Sequence, residues 1–447
     1  MVNRFYTFLI MVGVLSGCSS VNQPNNVAIE TIENEVTEVS DYSFTELASS
    51  TENDVTIILA FSGGGTRAAA LSYGVLEQLR DTQIMINGKE KRLLDEVDVI
   101  SSVSGGSFTS AYYGIHQDKI FDSYKSDFLY RDVKDDLVSI LLSPVHWFSS
   151  LGRTDAANQY YEEKIFGSAT FSDIDSQKSP YIIINASDIT TGLRFSFIQE
   201  YFDFLCSDIG EYPISKAVAA SAAVPVLFEP VVLENYEGCN EQLKRKASKV
   251  VMNDLSYQSK KTIQDIKEYS NKDSNRYIHL VDGGITDNLG LLAIYDLLEL
   301  GNFHSKYIMP GGVSTHQVIV ISVDASTSPE LGIGQSMEVP SVPQTLNSIT
   351  DIQLHRYNDA TKALFTKSME QWAKEASTET TTVIPHFIDI GFEYTKDLQK
   401  KHEFNQVPTD LTLDKSLVDS LIEEGQLQLK TNDEFNRALQ QINGEML

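Results

Sequence analysis

Basic residues are scarce in this chain. Its 447 residues carry 35 Lys and Arg against 62 Asp and Glu, a formal charge of −27 at pH 7. Nucleic acid is bound by Lys and Arg that neutralise phosphates, so this balance argues against a nucleic-acid partner. It also leaves no broad basic face for an anionic lipid surface. Cysteine is nearly absent: Cys18, Cys206 and Cys239 are the three present, too few for a scaffold built from disulfides. Neither they nor the histidines fall at the spacing of a zinc site, and no metal or other cofactor is expected. No apolar run reaches the roughly 20 residues that span a bilayer as a helix, and no internal repeat is found. What is abundant is apolar residues, 42% of the chain, enough for a sizeable core in one large domain or two.

The N-terminus reads MVNRFYTFLIMVGVLSGCSS. Arg4 precedes an apolar stretch, Phe5 to Leu15, that is too short to span a membrane and suits a signal peptide. It ends in Leu15-Ser16-Gly17-Cys18, which resembles the lipobox of bacterial lipoproteins. That resemblance implies removal of residues 1–17 and acylation of Cys18, hence a membrane anchor. Ser19 follows, with no Asp to signal inner-membrane retention, so in a two-membrane bacterium the outer membrane is the expected location. The alternative is an ordinary secretory signal with an incidental cysteine. Residues 18–53 are polar and acidic and read as a flexible tether. Export permits a Cys206–Cys239 disulfide; two lone buried thiols are the alternative.

From Val55 the pattern changes. VTIILAF (Val55 to Phe61) is a continuous apolar, β-branched run, as expected of a strand buried on both faces. VDVISSV (from Val97), YIIINAS (from Tyr181), YIHLVDGG (from Tyr277) and VIVISVDAS (from Val318) are similar. Helical patterns lie between them; in TRAAALSYGVLEQLR, Ala68, Leu71, Val75, Leu76 and Leu79 make one apolar face. This alternation predicts an α/β domain over residues 54–447 with a largely parallel sheet. Residues 231–276 are polar and charged and read as an insertion over a sheet edge or the mouth of a site.

Three strand-to-helix connections are unusual, and such connections at strand C-termini are natural places for chemistry. In AFSGGGTRAA, Gly63, Gly64 and Gly65 leave backbone amides open at a helix N-terminus, fit for a phosphate or a developing oxyanion. No Gly-Lys-Ser/Thr follows, so the Walker pattern is absent. In SSVSGGSF, Ser102-Val103-Ser104-Gly105-Gly106 approximates the G-x-S-x-G elbow with Ser in the first Gly position. Ser104 would be the exposed nucleophile; Ser102 and Ser107 are alternatives, or helix caps. In HLVDGGITDN, Asp282 ends a strand before two glycines. It is a turn former there or, if close to Ser104, a base. Asp188 and Asp287 read as turn or cap residues, and His279 as a core histidine within a strand.

In order along the chain these segments resemble the patatin-like phospholipases, lipid acyl hydrolases with a Ser-Asp dyad. FSGGGTRAA resembles the family's oxyanion loop D-G-G-G-x-R-G, with Ser62 for the Asp and Ala68 for the last Gly. SVSGG resembles its serine elbow, and DGG (Asp282 to Gly284) its dyad motif. ASDITTG (from Ala186), AVAASAAVPVLFEPV (from Ala217) and the C-terminal VPTDLTLDKSLVDSLIEEGQLQL are similar to further family segments. The resemblance implies a three-layer α/β fold with helices on both faces of the sheet, and an ester-hydrolysing serine site. Ser104 is then the nucleophile and Asp282 the base, with amides of Gly63, Gly64, Gly65 and Gly105 around the oxyanion. Arg67 either braces that loop or meets a lipid phosphate. A carboxylate is a weak base at its free pKa of about 4, so burial must raise Asp282. The implied substrate is a phospholipid or other acyl-ester lipid. Transfer of the acyl group to an alcohol or amine is the alternative chemistry. A catalytically silent lipid- or partner-binding lipoprotein is the alternative role, motivated by Ser62 and Ser102.

Overall fold

The structure, a computed structural model, describes residues 24, 26–29, 31, 32, 35, 36, 42, 43, 55–86, 89–141, 152–175, 178–238, 256–300, 314–328, 333, 337–442 and 444–446. Residues 1–17, Cys18 and Cys239 lie outside these, as does most of the expected tether.

The sheet has eight strands. In chain order they are β1 (Val55–Phe61), β2 (Val97–Val103), β3 (Tyr181–Asp188), β4 (Arg194–Phe197), β5 (Val231–Glu234), β6 (Tyr277–Val281), β7 (Ser314–Asp324) and β8 (Thr381–Gly391). Their spatial order is β5-β6-β3-β2-β1-β7-β8, with β4 also paired to β3. The five strands from β3 to β8 run parallel; β4, β5 and β6 join antiparallel. All seven residues of β1 and all eight of β3 are buried, which is why these strands read as unbroken apolar runs. At the edge, β8 (TTVIPHFIDIG) alternates buried with more open positions and contains Pro385, which an edge strand accommodates; among the described residues no strand pairs with its outer side.

The chain runs outward from β1 to β2 and β3, then returns to the other side of β1 for β7 and β8. In open α/β sheets, ligands bind beyond the strand C-termini where the order reverses. The glycine loop after β1 stands at that reversal. It opens α1 (Thr66–Arg80), and the serine elbow after β2 opens α2 (Gly105–His116). Helices α3 (Ile214–Ser221), α4 (Gly284–Asp287), α5 (Leu291–Leu300), α6 (Val342–Ala376) and α7 (Lys415–Lys430) pack around the sheet. The segment DNLGLLAIYDLLEL is not one continuous helix: Gly290, at φ 71, separates the single turn α4 from α5.

Residues 231–276 differ from the reading as an insertion at their start. Val231–Glu234 pairs with β6 as an edge strand of the main sheet, and Tyr257–Glu268 is a helix; residues 239–255 lie outside the described set. Four strand residues before a polar run carry too short a signal to be separated from it. Cys206 is buried and disulfide-bonded. Tyr236 N–H donates to the Leu205 carbonyl at 3.0 Å, which brings the chain just before Cys239 alongside Cys206. Among the described residues no helix is long and apolar enough to cross a membrane.

Helix α7 lies against α1 at a crossing where both backbones come close. A Cβ on Gly74 would stand 2.1 Å from the Ile422 carbonyl oxygen, and one on Gly425 2.4 Å from that of Leu71. Ala at position 74 gains about 1 kcal/mol in helix propensity, but overpacking against immovable backbone costs about 1–3 kcal/mol. We therefore expect Gly74→Ala to lower the urea midpoint without changing the slope. An unchanged or raised midpoint would show that the two helices part freely.

Candidate active site

Ser104 sits between β2 and α2 at φ 48 and ψ −118, a left-handed backbone that a non-glycine residue adopts only where its surroundings enforce it. Its N–H donates to Ser221 Oγ at 2.8 Å. Ser221 Oγ in turn donates to the Asn185 carbonyl on β3 at 2.6 Å and pairs with Ser107 Oγ at 3.0 Å. Close packing of the elbow needs its glycines: a Cβ on Gly105 would fall 2.1 Å from the Gly65 carbonyl oxygen. Ser102 is buried, bonded to Ser110 Oγ at 2.6 Å and to the Ile183 carbonyl at 3.2 Å. Ser107 is equally buried. Both alternative serines are thus occupied inside the fold.

Asp282 follows β6. Its N–H donates to the Ala223 carbonyl at 2.9 Å, and the next residue, Gly283, donates to the Ser221 carbonyl at 3.0 Å. Asp282 Oδ1 accepts from Gly284 N–H at 2.8 Å, and Oδ2 accepts from Ser104 Oγ at 3.0 Å. The carboxyl keeps a little solvent access, yet dense packing desolvates it and raises its pKa to about 6, against the smaller lowering by Gly284 N–H and Ser104. Three described histidines have their rings bonded to groups other than Ser104 and Asp282. His316 Nε2 bonds Thr56 Oγ1, His355 Nε2 the Thr327 carbonyl, and His386 lies between Gln317 and Glu434. His279 is half-buried within β6.

The glycine loop departs from expectation at its first member. Gly63 N–H is engaged, donating to the Asn288 carbonyl at 3.0 Å. It therefore cannot serve as an open oxyanion donor, a point that a glycine count does not disclose. Gly64 (φ 138) and Gly65 (φ 62) adopt backbone that side chains disfavour. With Gly105, the first residue of α2, whose amide belongs to the unpaired first turn, they are the open members of the group. The residue at the family's Asp position has a structural use: Ser62 Oγ accepts Ala325 N–H at 2.8 Å, clamping the loop to the end of β7. Arg67 is buried beneath the loop. It donates through Nε to the Ala325 carbonyl at 2.7 Å and through Nη1 to the Val407 carbonyl at 2.8 Å. Burial lowers its pKa to about 10, still well above neutrality. Of the two readings of Arg67, bracing fits its place.

Several residues here were not singled out from sequence. Ser221 joins the elbow to the aspartate turn. Asn288 Nδ2 donates to Ser326 Oγ at 3.2 Å, and Asn358 Nδ2 to the same oxygen at 2.9 Å. The four residues come from four distant segments; Ser221 lies within AVAASAAVPVLFEPV and Asn288 within HLVDGGITDN, but nothing local shows what their side chains meet. Asp188 holds a turn by accepting Thr190 N–H at 2.9 Å, and Asp287 Oδ2 caps α5 through Leu292 N–H at 2.9 Å. Among the described residues no cluster of three or more His, Cys, Asp or Glu side chains gathers to hold a metal ion.

The arrangement is a strained serine hydroxyl bonded to a carboxylate of raised basicity, beside open amides at two helix N-termini. Residues 59–295, just over half of the chain, match the model of the family described as patatin-like phospholipase. No curated protein matches the chain. Among solved structures it is similar to human GIVD cytosolic phospholipase A2, at 12% identity and a TM-score of 0.39, over 86% of this chain and 63% of that one. It is also similar to the same human enzyme in complex with methyl gamma-linolenyl fluorophosphonate, at 12% identity and 0.37, over 91% and 61%. The chain thus spans less than two thirds of the length of these structures. On the match over residues 59–295, the chain belongs to the patatin-like phospholipase family.

Proposed function

We propose that the protein is a serine-dependent lipid acyl hydrolase in which Ser104 and Asp282 act as a dyad. The observation that carries this reading is the 3.0 Å hydrogen bond from Ser104 Oγ to Asp282 Oδ2 at a strained elbow. Ser104 Oγ attacks the ester carbonyl carbon while its proton passes to Asp282. The carbonyl oxygen becomes an oxyanion facing the amides of Gly64, Gly65 and Gly105; each such donor is typically worth about 3 kcal/mol. The C–O bond to the alcohol breaks, and Asp282 returns the proton to the leaving alkoxide. Water then attacks the acyl-Ser104 ester with Asp282 again as base, releasing the fatty acid and restoring the serine. A pKa near 6 leaves Asp282 ionised at neutral pH and a better base than a free carboxylate.

Lipid anchoring at Cys18 is part of the same proposal, supported by the sequence Leu15-Ser16-Gly17-Cys18. Cys18→Ala should prevent processing and release the protein from the membrane fraction. Normal maturation of that variant with an acylated N-terminus would refute anchoring at this residue.

Ser104→Ala should reduce lipid ester hydrolysis by about 10⁴-fold or more and abolish fluorophosphonate labelling with the fold retained. Asp282→Asn keeps the shape, loses the base, and should cost nearly as much; the double variant should cost little more, because the residues act as a unit. A folded single-histidine variant that fell as far as Ser104→Ala would replace the dyad by a triad.

The pH profile tests the base separately. Below about pH 6 Asp282 is protonated and cannot take the serine proton, so kcat/KM should fall about tenfold per pH unit on that side and level off above it. An acid limb centred near pH 4 would mean that burial does not raise this carboxyl.

A further inference from the structure

Apolar side chains stand exposed on the segments that hold the dyad and on a helix bonded to them. Val226 and Leu227 are 88% and 62% exposed. They follow Ala223, whose carbonyl accepts Asp282 N–H. Ile285, also exposed, lies three residues past Asp282 on α4. Tyr357 Oη donates to the Thr286 carbonyl at 2.8 Å, docking α6 beside Ile285. From Tyr357 the helix runs on through exposed Ile352 and Ile349, an i,i+3 pair about 8–12 Å further along the axis.

The turn at Val226 adds a separate observation. Val226 has φ 75, a conformation that a β-branched residue adopts only at a cost. Its carbonyl accepts from Arg153 Nη1 at 3.0 Å, but its side chain gains almost no packing from the rest of the protein. Such strain persists where something else repays it. The bend is the turn between the bridged residues Pro225 and Phe228, and it leaves Val226 and Leu227 exposed at its tip.

We infer that this rim is a docking surface for a zwitterionic phospholipid interface, bringing Ser104 flush with the lipid ester; the inference rests on the lipid-hydrolase reading above. The occupant follows from chemistry. In an aggregated lipid the ester carbonyl lies beneath the head groups, so the edge carrying Ser104 must meet the interface, and that edge carries the apolar residues. A protein seated there would cover the mouth instead. The charge argues for a zwitterionic surface over an anionic one: the chain carries −27, and of the two arginines by the rim Arg153 is paired with Glu229 at 2.9 Å, while the exposed Arg356 on α6 has Asp359 one turn further along the same helix.

Leu227→Trp in the full-length Ser104→Ala protein tests docking without turnover. Emission beyond that of the native Trp147 and Trp372 should shift to the blue and be quenched on adding phosphatidylcholine vesicles with brominated acyl chains. Replacing part of the phosphatidylcholine with phosphatidylglycerol should weaken the effect. No shift, or a stronger one on the anionic vesicles, overturns the inference. Leu227→Asp combined with Ile352→Asp should cut hydrolysis of vesicle phosphatidylcholine at least tenfold while leaving that of a soluble short-chain ester unchanged. Equal losses on both substrates also overturn it. A wild-type protein that cleaves neither substrate refutes the hydrolase reading, whereas the fluorescence result still decides the docking surface on its own.

Discussion

The hydroxyl of Ser221 receives the N–H of Ser104 and gives its own proton to the Asn185 carbonyl, while the carbonyl of the same residue takes the N–H of Gly283. One residue at the end of α3 thereby fixes the end of β2, the end of β3 and the turn after β6. Without it the left-handed backbone at Ser104 would be free to relax, and the contact between Ser104 and Asp282, which come from positions far apart in the chain, would lose its common reference. Each bond contributes only about 1 kcal/mol net, but a buried donor left without its partner costs about 1–3 kcal/mol. Geometry at the site is thus held mainly by the penalty for breaking it.

The glycine loop is held by the same logic from the opposite side. Ala325 at the end of β7 gives its N–H to Ser62 and its carbonyl to Arg67, and Gly63 is fastened to Asn288. Ser62, a departure from the family pattern, is therefore compatible with an ordered loop. Ser102, the other departure, turns into the interior, where Ser110 and the Ile183 carbonyl satisfy it.

Much of the fold was legible because its signals are local. An unbroken run such as Val55–Phe61 reports a strand covered on both faces, and glycines after a strand report a backbone that must turn or admit a close neighbour. The elbow and the DGG motif could be found for that reason, and the raised pKa of Asp282 was required by its chemistry before its surroundings were seen. Partnerships across the chain were not legible. Gly63 looked equivalent to Gly64 and Gly65, since nothing near it in sequence shows that its amide is taken by residue 288. Ser221 lies within AVAASAAVPVLFEPV and Asn358 in a stretch with no motif, and nothing near either in sequence shows which segments close over it. The strand Val231–Glu234 was lost in a polar stretch, because four residues seldom outweigh the composition around them.

The braces on the glycine loop come late in the chain. Arg67 reaches the Val407 carbonyl, Thr66 N–H the Asp410 carbonyl at 2.8 Å, and a Cβ on Gly65 would strike that same carbonyl oxygen at 2.3 Å. The stretch matched by the family ends at residue 295, so Ser104 and Asp282 are both made well before the segment that fastens the glycine loop. During synthesis, a chain emerging from its N-terminus carries Ser104 and Asp282 for more than a hundred residues before Asp410 follows. The order of the polypeptide is therefore also an order of assembly, in which Ser104 precedes the last support of its surroundings.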